Sequence, residues 1–133
     1  MFTFALGRVP TADDTPALDA ILNADLIILG PGSLYTSVIP NLLVNGVVDA
    51  IKWSRGTTVY ACNVATQRGE TDHFTATDHI KAVVEYLGRG NLDYAVVNSN
   101  RASAEAIRPE LGVQAVLDEG QIAVYDGVKI VSA

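Results

Sequence analysis

A short apolar run, Asp25-Leu26-Ile27-Ile28-Leu29, breaks into Gly30-Pro31-Gly32-Ser33-Leu34-Tyr35-Thr36-Ser37, and no other stretch restricts the fold so tightly. A short β-branched segment ended by Gly reads as a strand buried on both faces. Beyond the turn, Val38, Ile39, Leu42, Leu43, Val47, Val48 and Ile51 recur at roughly helical spacing, and Pro40 is tolerated near a helix start. The spacing predicts one helix reaching about Trp53, with Gly46 weakening its middle. A strand, a small-residue turn and a helix N-terminus point backbone N–H groups at one spot, where the helix dipole favours an anion. Ser33, Thr36 and Ser37 add hydroxyls that can cap the helix or bind phosphate oxygens.

Two readings of this turn stand side by side: a phosphate or diphosphate cradle, and a tight connection with an ordinary N-cap. Gly30-x-Gly32 lacks a third Gly at position 35, so the dinucleotide fingerprint is incomplete, and without a following Gly-Lys-Ser/Thr it is not a P-loop. No Lys or Arg lies between Gly30 and Lys52, so an anion held here would rest on amides, hydroxyls and the dipole.

Other segments fit around this unit. Residues 1–6 read as a short strand and 7–14 as loop; Thr15 offers an N-cap with Pro16 first in a helix over 17–22. Strands are expected over 57–62 and 93–97. Between them, Thr75-x-x-Asp78 forms a capping-box-like start to a helix whose stripe is Ile80, Val83, Val84 and Leu87, ending at Gly88. A short helix is expected over 102–108, ended by Pro109. Short strand-like pieces follow over 113–117, 121–125 and 128–131, with turns at Asp118-Glu119-Gly120 and Asp126-Gly127.

Alternating strands and helices imply right-handed crossovers and a mostly parallel sheet. In such sheets ligands sit beyond the carboxyl ends of the strands, which gathers the cradle, residues 63–74 and Asn98-Ser99-Asn100 at one edge.

A chain of 133 residues fits one domain and buries about two-thirds of its unfolded surface. Hydrophobic residues at 49% and charged residues at 18% suit an α/β domain. Net charge −6 argues against non-specific nucleic-acid binding, and no apolar run is long enough to span a bilayer. The one cysteine, Cys62, excludes an internal disulfide and fits a reducing cytoplasm; ending an apolar strand, it reads as a buried inert thiol.

Residues 63–73 are dense in hydrogen-bonding side chains. Asn63, Thr66 and Gln67 can read a base, ribose or sugar hydroxyl, and Arg68 can pair with a phosphate. Glu70 or Asp72 can accept from sugar hydroxyls or hold a divalent cation through water. The plainer alternative is a solvated surface loop. Asp78 suits a helix start for the dipole alone, whereas His79 in a first turn is slightly unfavourable and so is the better functional candidate, ahead of the more exposed His73. No Ser–His–Asp order and no Cys/His metal pattern is present.

The string from Ala24 through Gly30-Pro31-Gly32-Ser33-Leu34-Tyr35-Thr36-Ser37 to Val44, together with Cys62-Asn63-x-x-Thr66-Gln67-x-Gly69-Glu70-Thr71 and Asp78-His79, closely resembles the YvcK-like gluconeogenesis-factor family, relatives of the 2-phospho-L-lactate transferases. The likeness covers about residues 16–98. It implies a Rossmann-like three-layer α/β fold with a mostly parallel sheet, a partial, second-half domain with short strands at its C-terminus. The gluconeogenesis-factor branch implies binding of a UDP-sugar such as UDP-N-acetylglucosamine, with a role in carbon metabolism and cell-wall or cell-shape control. The transferase branch implies transfer of a phospholactyl group from a guanosine diphosphate donor, with Mg2+. The wording Gly-Ser-Leu-Tyr-Thr-Ser is similar to the first branch.

Four departures accompany the likeness. The Gly-rich loop that opens longer family members is lacking, so the chain reads as equivalent to their C-terminal half. Arg68 stands for a usual Pro and His73 for a usual Gly, and the pattern drifts after Asn98.

The expected ligand-binding set is Gly30, Pro31, Gly32, Ser33, Tyr35, Thr36, Ser37, Asn63, Thr66, Gln67, Arg68, Glu70 and Thr71. A binding domain that requires no cofactor and holds no metal is the first reading. If the chain is an enzyme instead, His79, Asp78 and Glu70 are the catalytic candidates and Mg2+ the metal. A half-domain acting only in assembly is the third reading. The expected partners are a nucleotide diphosphate or UDP-sugar and a second copy paired through an exposed sheet edge, not nucleic acid or membrane.

Overall fold

The computed structural model describes residues 15–100, 107, 110, 112–117 and 123–133. Helix α1 (Thr15–Leu22) leads into strand β1 (Leu26–Leu29). A π-helical turn (Leu34–Val38) runs into α2 (Ile39–Leu42), and α3 (Val47–Trp53) precedes β2 (Thr57–Ala61). Then come α4 (Ala76–Leu87), β3 (Tyr94–Val97), β4 (Val124–Tyr125) and β5 (Val128–Ser132).

Among the described residues five strands form one sheet in the order β1-β2-β3-β5-β4, of which only β4 runs antiparallel to its neighbour. The α/β class and the mostly parallel sheet are therefore as expected. Short strands at the C-terminal end are also present, joined by a hairpin with Asp126 at φ 48° and Gly127 at φ 85°. Positive φ at both loop residues is the two-residue turn that Asp-Gly favours. Expectations for residues 1–14, for the helix over 102–108 apart from Ile107, and for the turn over 118–120 lie outside the described residues.

Burial alternates along the inner strands. Thr58 and Tyr60 on β2, and Ala95 and Val97 on β3, are buried against the helices, while Val59, Ala61, Tyr94 and Val96 are half-buried on the opposite face. Helix α1 packs on α3, and α2 on α4. Among the described residues no single helix is long and apolar enough to cross a membrane.

Three expectations are corrected. Strand β1 is not buried on both faces: it sits at the end of the strand order, Leu26 is 46% exposed and only Ile27 is fully inward. The helix expected from the turn to Trp53 is two helices meeting at a 68° bend. Gly46 makes that bend with φ +86°, a conformation L side chains avoid, and a Cβ there would stand 3.0 Å from Leu18 Cδ1. Residues 113–117 do not form a strand; they pair with the loop after β2 through an isolated antiparallel bridge of Ala115 to Ala65. The second rung is taken by a side chain, since the Gln114 amide donates to Thr66 Oγ1 at 2.8 Å.

The base of the sheet is held by a backbone contact with no room for a side chain. Asp25 carbonyl accepts from Thr57 N–H at 3.0 Å, and a Cβ on Gly56 would lie 2.2 Å from the Ala24 carbonyl oxygen. The obstacle is backbone, so relief requires moving the β1–β2 connection. Gly56→Ala is expected to destabilise the fold by about 2 kcal/mol or more. Chemical denaturation checks this, and a midpoint equal to that of the unmodified chain would contradict the contact.

Candidate functional site

Parallel pairing of β1, β2 and β3 brings the segments after Leu29, Ala61 and Val97 to one edge of the sheet. The first of them is held by its glycine and its apolar anchors. Gly30 has φ +88° and a cis bond to Pro31, and a Cβ on it would meet the Ala61 carbonyl oxygen at 2.9 Å. No other residue lets the turn lie so close to the end of β2. Leu34 and Val38 are buried on the inner side, each contributing roughly 1.5–3 kcal/mol of apolar burial. That leaves Pro31, Tyr35, Thr36 and Ser37 exposed and Gly32 and Ser33 half-buried.

The helix start differs in detail from expectation. Ser33 makes no side-chain cap. Its carbonyl instead accepts from the amides of Ser37 and Val38, both at 2.9 Å, closing the π-helical turn. The amides of Leu34, Tyr35 and Thr36 precede this first closed turn, the position where helix N–H groups lack intrahelical acceptors. The Ser33 hydroxyl donates across the sheet edge to Glu70 Oε2 at 2.7 Å, and Thr36 Oγ1 donates to Ser33 Oγ at 2.5 Å. The turn and the second loop, separate in sequence, are one polar assembly.

Within that loop the side chains divide. Thr66 and Thr71 are buried: Thr66 Oγ1 accepts from the Gln114 amide, and Thr71 Oγ1 accepts from the Gln67 amide at 2.8 Å. Both shape the loop from beneath. Asn63 and Gln67 are half-buried, and Gln67 Oε1 is enclosed with no hydrogen-bond partner among the described residues. Arg68 is exposed, its stem beside Gly112. Asp72 accepts from the Gly69 amide at 2.7 Å, and exposed His73 takes a left-handed φ of 63°.

Asp78 and His79 occupy different environments. Asp78 completes a capping box with Thr75: its carboxylate accepts from the Thr75 amide at 2.8 Å, and its own amide donates to Thr75 Oγ1 at 3.2 Å. His79 is fully buried rather than presented to solvent. Its Nδ1 lies 2.8 Å from the Thr75 carbonyl, which can only accept, so Nδ1 carries the proton and Nε2 is a lone-pair acceptor with no partner among the described residues. The ring stands edge-on to Phe74 at 5.5 Å, and Phe74 edge-on to Tyr35 at 6.2 Å. Sequence reasoning passed over Phe74, although it is the one aromatic in an otherwise polar loop; Gln114, remote in the chain, offered no signal at all.

Cys62 is buried at the end of β2, and burial pushes its thiol up to about 11, so it is an inert thiol as expected. Among the described residues no group of three or more His, Cys, Asp or Glu could hold a metal ion. The Ser33 hydroxyl engages one carboxylate oxygen of Glu70, and the Gly69 amide one of Asp72.

Comparison with known proteins gives a consistent family. Residues 7–133 match the family described as 2-phospho-L-lactate transferase CofD. The gluconeogenesis factor of Halalkalibacterium halodurans is 54% identical over 86 residues, 65% of this chain and 27% of that relative. The gluconeogenesis factor of Bacillus subtilis is 52% identical over 82 residues, 62% of this chain and 26% of its own length. A crystal structure of protein BH3568 from Bacillus halodurans superposes with TM-score 0.80 at 42% identity, covering 93% of this chain and 40% of that one. The chain thus spans little more than a quarter of those curated relatives.

Burial holds His79 below its ordinary 6.5, against smaller opposing effects of the Thr75 carbonyl and Asp78. The unfolded chain therefore takes up this proton first. Stability is expected to fall as pH drops from about 6.5 to the lowered folded value, then level off. Denaturation from about pH 7.5 to about pH 5 should show a steeper loss for the unmodified chain than for His79→Gln. Parallel curves would mean that His79 titrates as a solvated imidazole.

Proposed function

This chain belongs to the 2-phospho-L-lactate transferase CofD family, and we propose that within it the chain is a cytoplasmic nucleotide-sugar-binding domain of the gluconeogenesis-factor type rather than an enzyme. The turn over 30–37 holds the diphosphate, and the loop over 63–71 holds the ribose or sugar. UDP-N-acetylglucosamine is the first ligand to test, and the associated role is in carbon metabolism and cell-wall or cell-shape control. The observation that carries this reading is the turn itself: leading amides at a helix start, beside half-buried Gly32, linked by Ser33 to Glu70 of the second loop. The identity to gluconeogenesis factors supports the regulatory branch over the transferase branch.

Isothermal titration with UDP-N-acetylglucosamine and with GDP, each with and without magnesium, tests the reading. Metal-independent UDP-sugar binding without turnover is the expected result. Metal-dependent GDP binding favours the transferase alternative, and silence toward both leaves an assembly role. A Cβ at Gly32 would lie 3.2 Å from Ser37 Cβ, so Gly32→Val is expected to weaken binding more than about tenfold while the fold survives. Unchanged affinity in that variant removes the turn from the site.

The second proposed partner is another copy of the chain. Among the described residues strand β1 ends the strand order, and its Leu-Ile-Ile-Leu sequence carries no charge or proline to blunt the edge. Light scattering is expected to give a dimer or larger assembly; a clean monomer counts against the pairing.

A further inference from the structure

Trp53 is the one tryptophan in the chain, and at 79% exposure it is the most exposed large apolar side chain among the described residues. An indole brings a large apolar surface and is on average well buried. Trp53 ends α3, where the next residues are fixed on the start of β1: Ser54 Oγ donates to the Ala24 carbonyl at 3.4 Å, and Gly56 packs against the same carbonyl. Leu22 and Leu26, each two residues from Ala24, are also exposed. Three exposed apolar side chains thus gather around one backbone contact at the base of the sheet. Scattered single ones are ordinary; such a group marks an interaction surface.

The charges at this corner favour one occupant. Asp25 and Arg55 are both exposed, Arg55 precedes the Gly56 that packs against Asp25, and neither forms an ion pair among the described residues. Lys52 is exposed too, its stem leaning toward Gly88. Asp49 lies four residues before Trp53, and Asp19 three before Leu22. Three acids and two bases leave the corner near neutral, whereas the chain as a whole carries −6. Two copies of so acidic a chain repel each other over most of their surface and least here.

We propose that this corner is a self-association surface, in which Trp53 of each protomer is buried against Leu22, Leu26 and Trp53 of its partner. The proposal rests on the second-copy reading above and narrows it to the base of β1. A two-fold contact puts the same patch on both sides, so Asp25 of one protomer meets Arg55 of the other at the rim while the apolar centres close together. An apolar centre with a charged rim, anchored by tryptophan and arginine, is the usual anatomy of a protein interface. Symmetry presents every substitution twice, which magnifies its effect on pairing.

The experiment follows mass by light scattering, and tryptophan emission, through a dilution series of the intact chain. Emission is expected to move to the red as dimer falls to monomer, because the one indole returns to water. Trp53→Ala should weaken pairing at least about thirtyfold, while Val124→Ala, exposed on β4 at the opposite edge of the sheet, leaves it unchanged. Asp25→Arg and Arg55→Asp should each weaken it several-fold, and the two together should restore it. A double exchange no tighter than the single ones overturns the two-fold arrangement. Pairing undiminished in Trp53→Ala overturns the proposal and leaves the second-copy reading standing. If that variant does not fold, the unmodified chain decides alone: emission constant across the change in mass overturns the proposal. A monomer at every concentration fells both, including one whose emission moves to the blue on phosphatidylcholine vesicles, which assigns the corner to a membrane surface.

Discussion

Parallel pairing of β1 with β2 is the constraint on which the rest of the site depends. It puts the ends of two consecutive strands side by side, and Gly30 lets the first turn approach the Ala61 carbonyl closely enough to share that edge. A side chain at Gly30 would meet backbone oxygen, and the turn would swing away from the loop that carries Glu70. The Ser33–Glu70 bond closes over this approach. A single glycine thus acts through packing geometry to bring a helix start and a carboxylate within hydrogen-bond distance.

The resulting chemistry is lopsided. Most anion sites pair amides with a lysine or arginine. Here the Ser33 hydroxyl of the turn bonds a carboxylate, Arg68 lies exposed in the same loop as that carboxylate, and Gln67 Oε1 and His79 Nε2 are enclosed without partners among the described residues. His79 itself closes a row of edge-on rings with Phe74 and Tyr35, which sets aromatic surface beside its Nε2. Such a frame combines donors for an anion with acceptors for a hydroxyl-bearing group. That combination, rather than any one residue, distinguishes the edge from an ordinary strand-to-helix connection.

Much of the fold was legible from local pattern. The apolar runs of β1, β2 and β3, the stripe and capping box of α4, and the Asp126-Gly127 hairpin all follow from interactions over two to four neighbours. The same reasoning failed where distant segments intervened. The periodicity after the turn continues past Gly46, yet the chain bends there, where Gly46 takes φ +86° and Leu18 of α1 leaves no room for a Cβ. Leu26 is as apolar as a core residue and is exposed because β1 has no neighbour on its outer side among the described residues.

The candidate site divides along the same line. Which residue types meet at the sheet edge followed from the chain alone, since strand ends in a parallel sheet converge whatever their loops contain. What each side chain does there was decided in three dimensions. A serine in a small-residue turn can cap, bind a ligand or donate to a carboxylate at comparable net energies of about 1 kcal/mol. Only the position of Glu70, 37 residues away, selects among them, as Gln114, 48 residues from Thr66, decides that this threonine is structural. Local chemistry is written in neighbouring residues; the choice of a partner waits until the backbone has brought the candidates together.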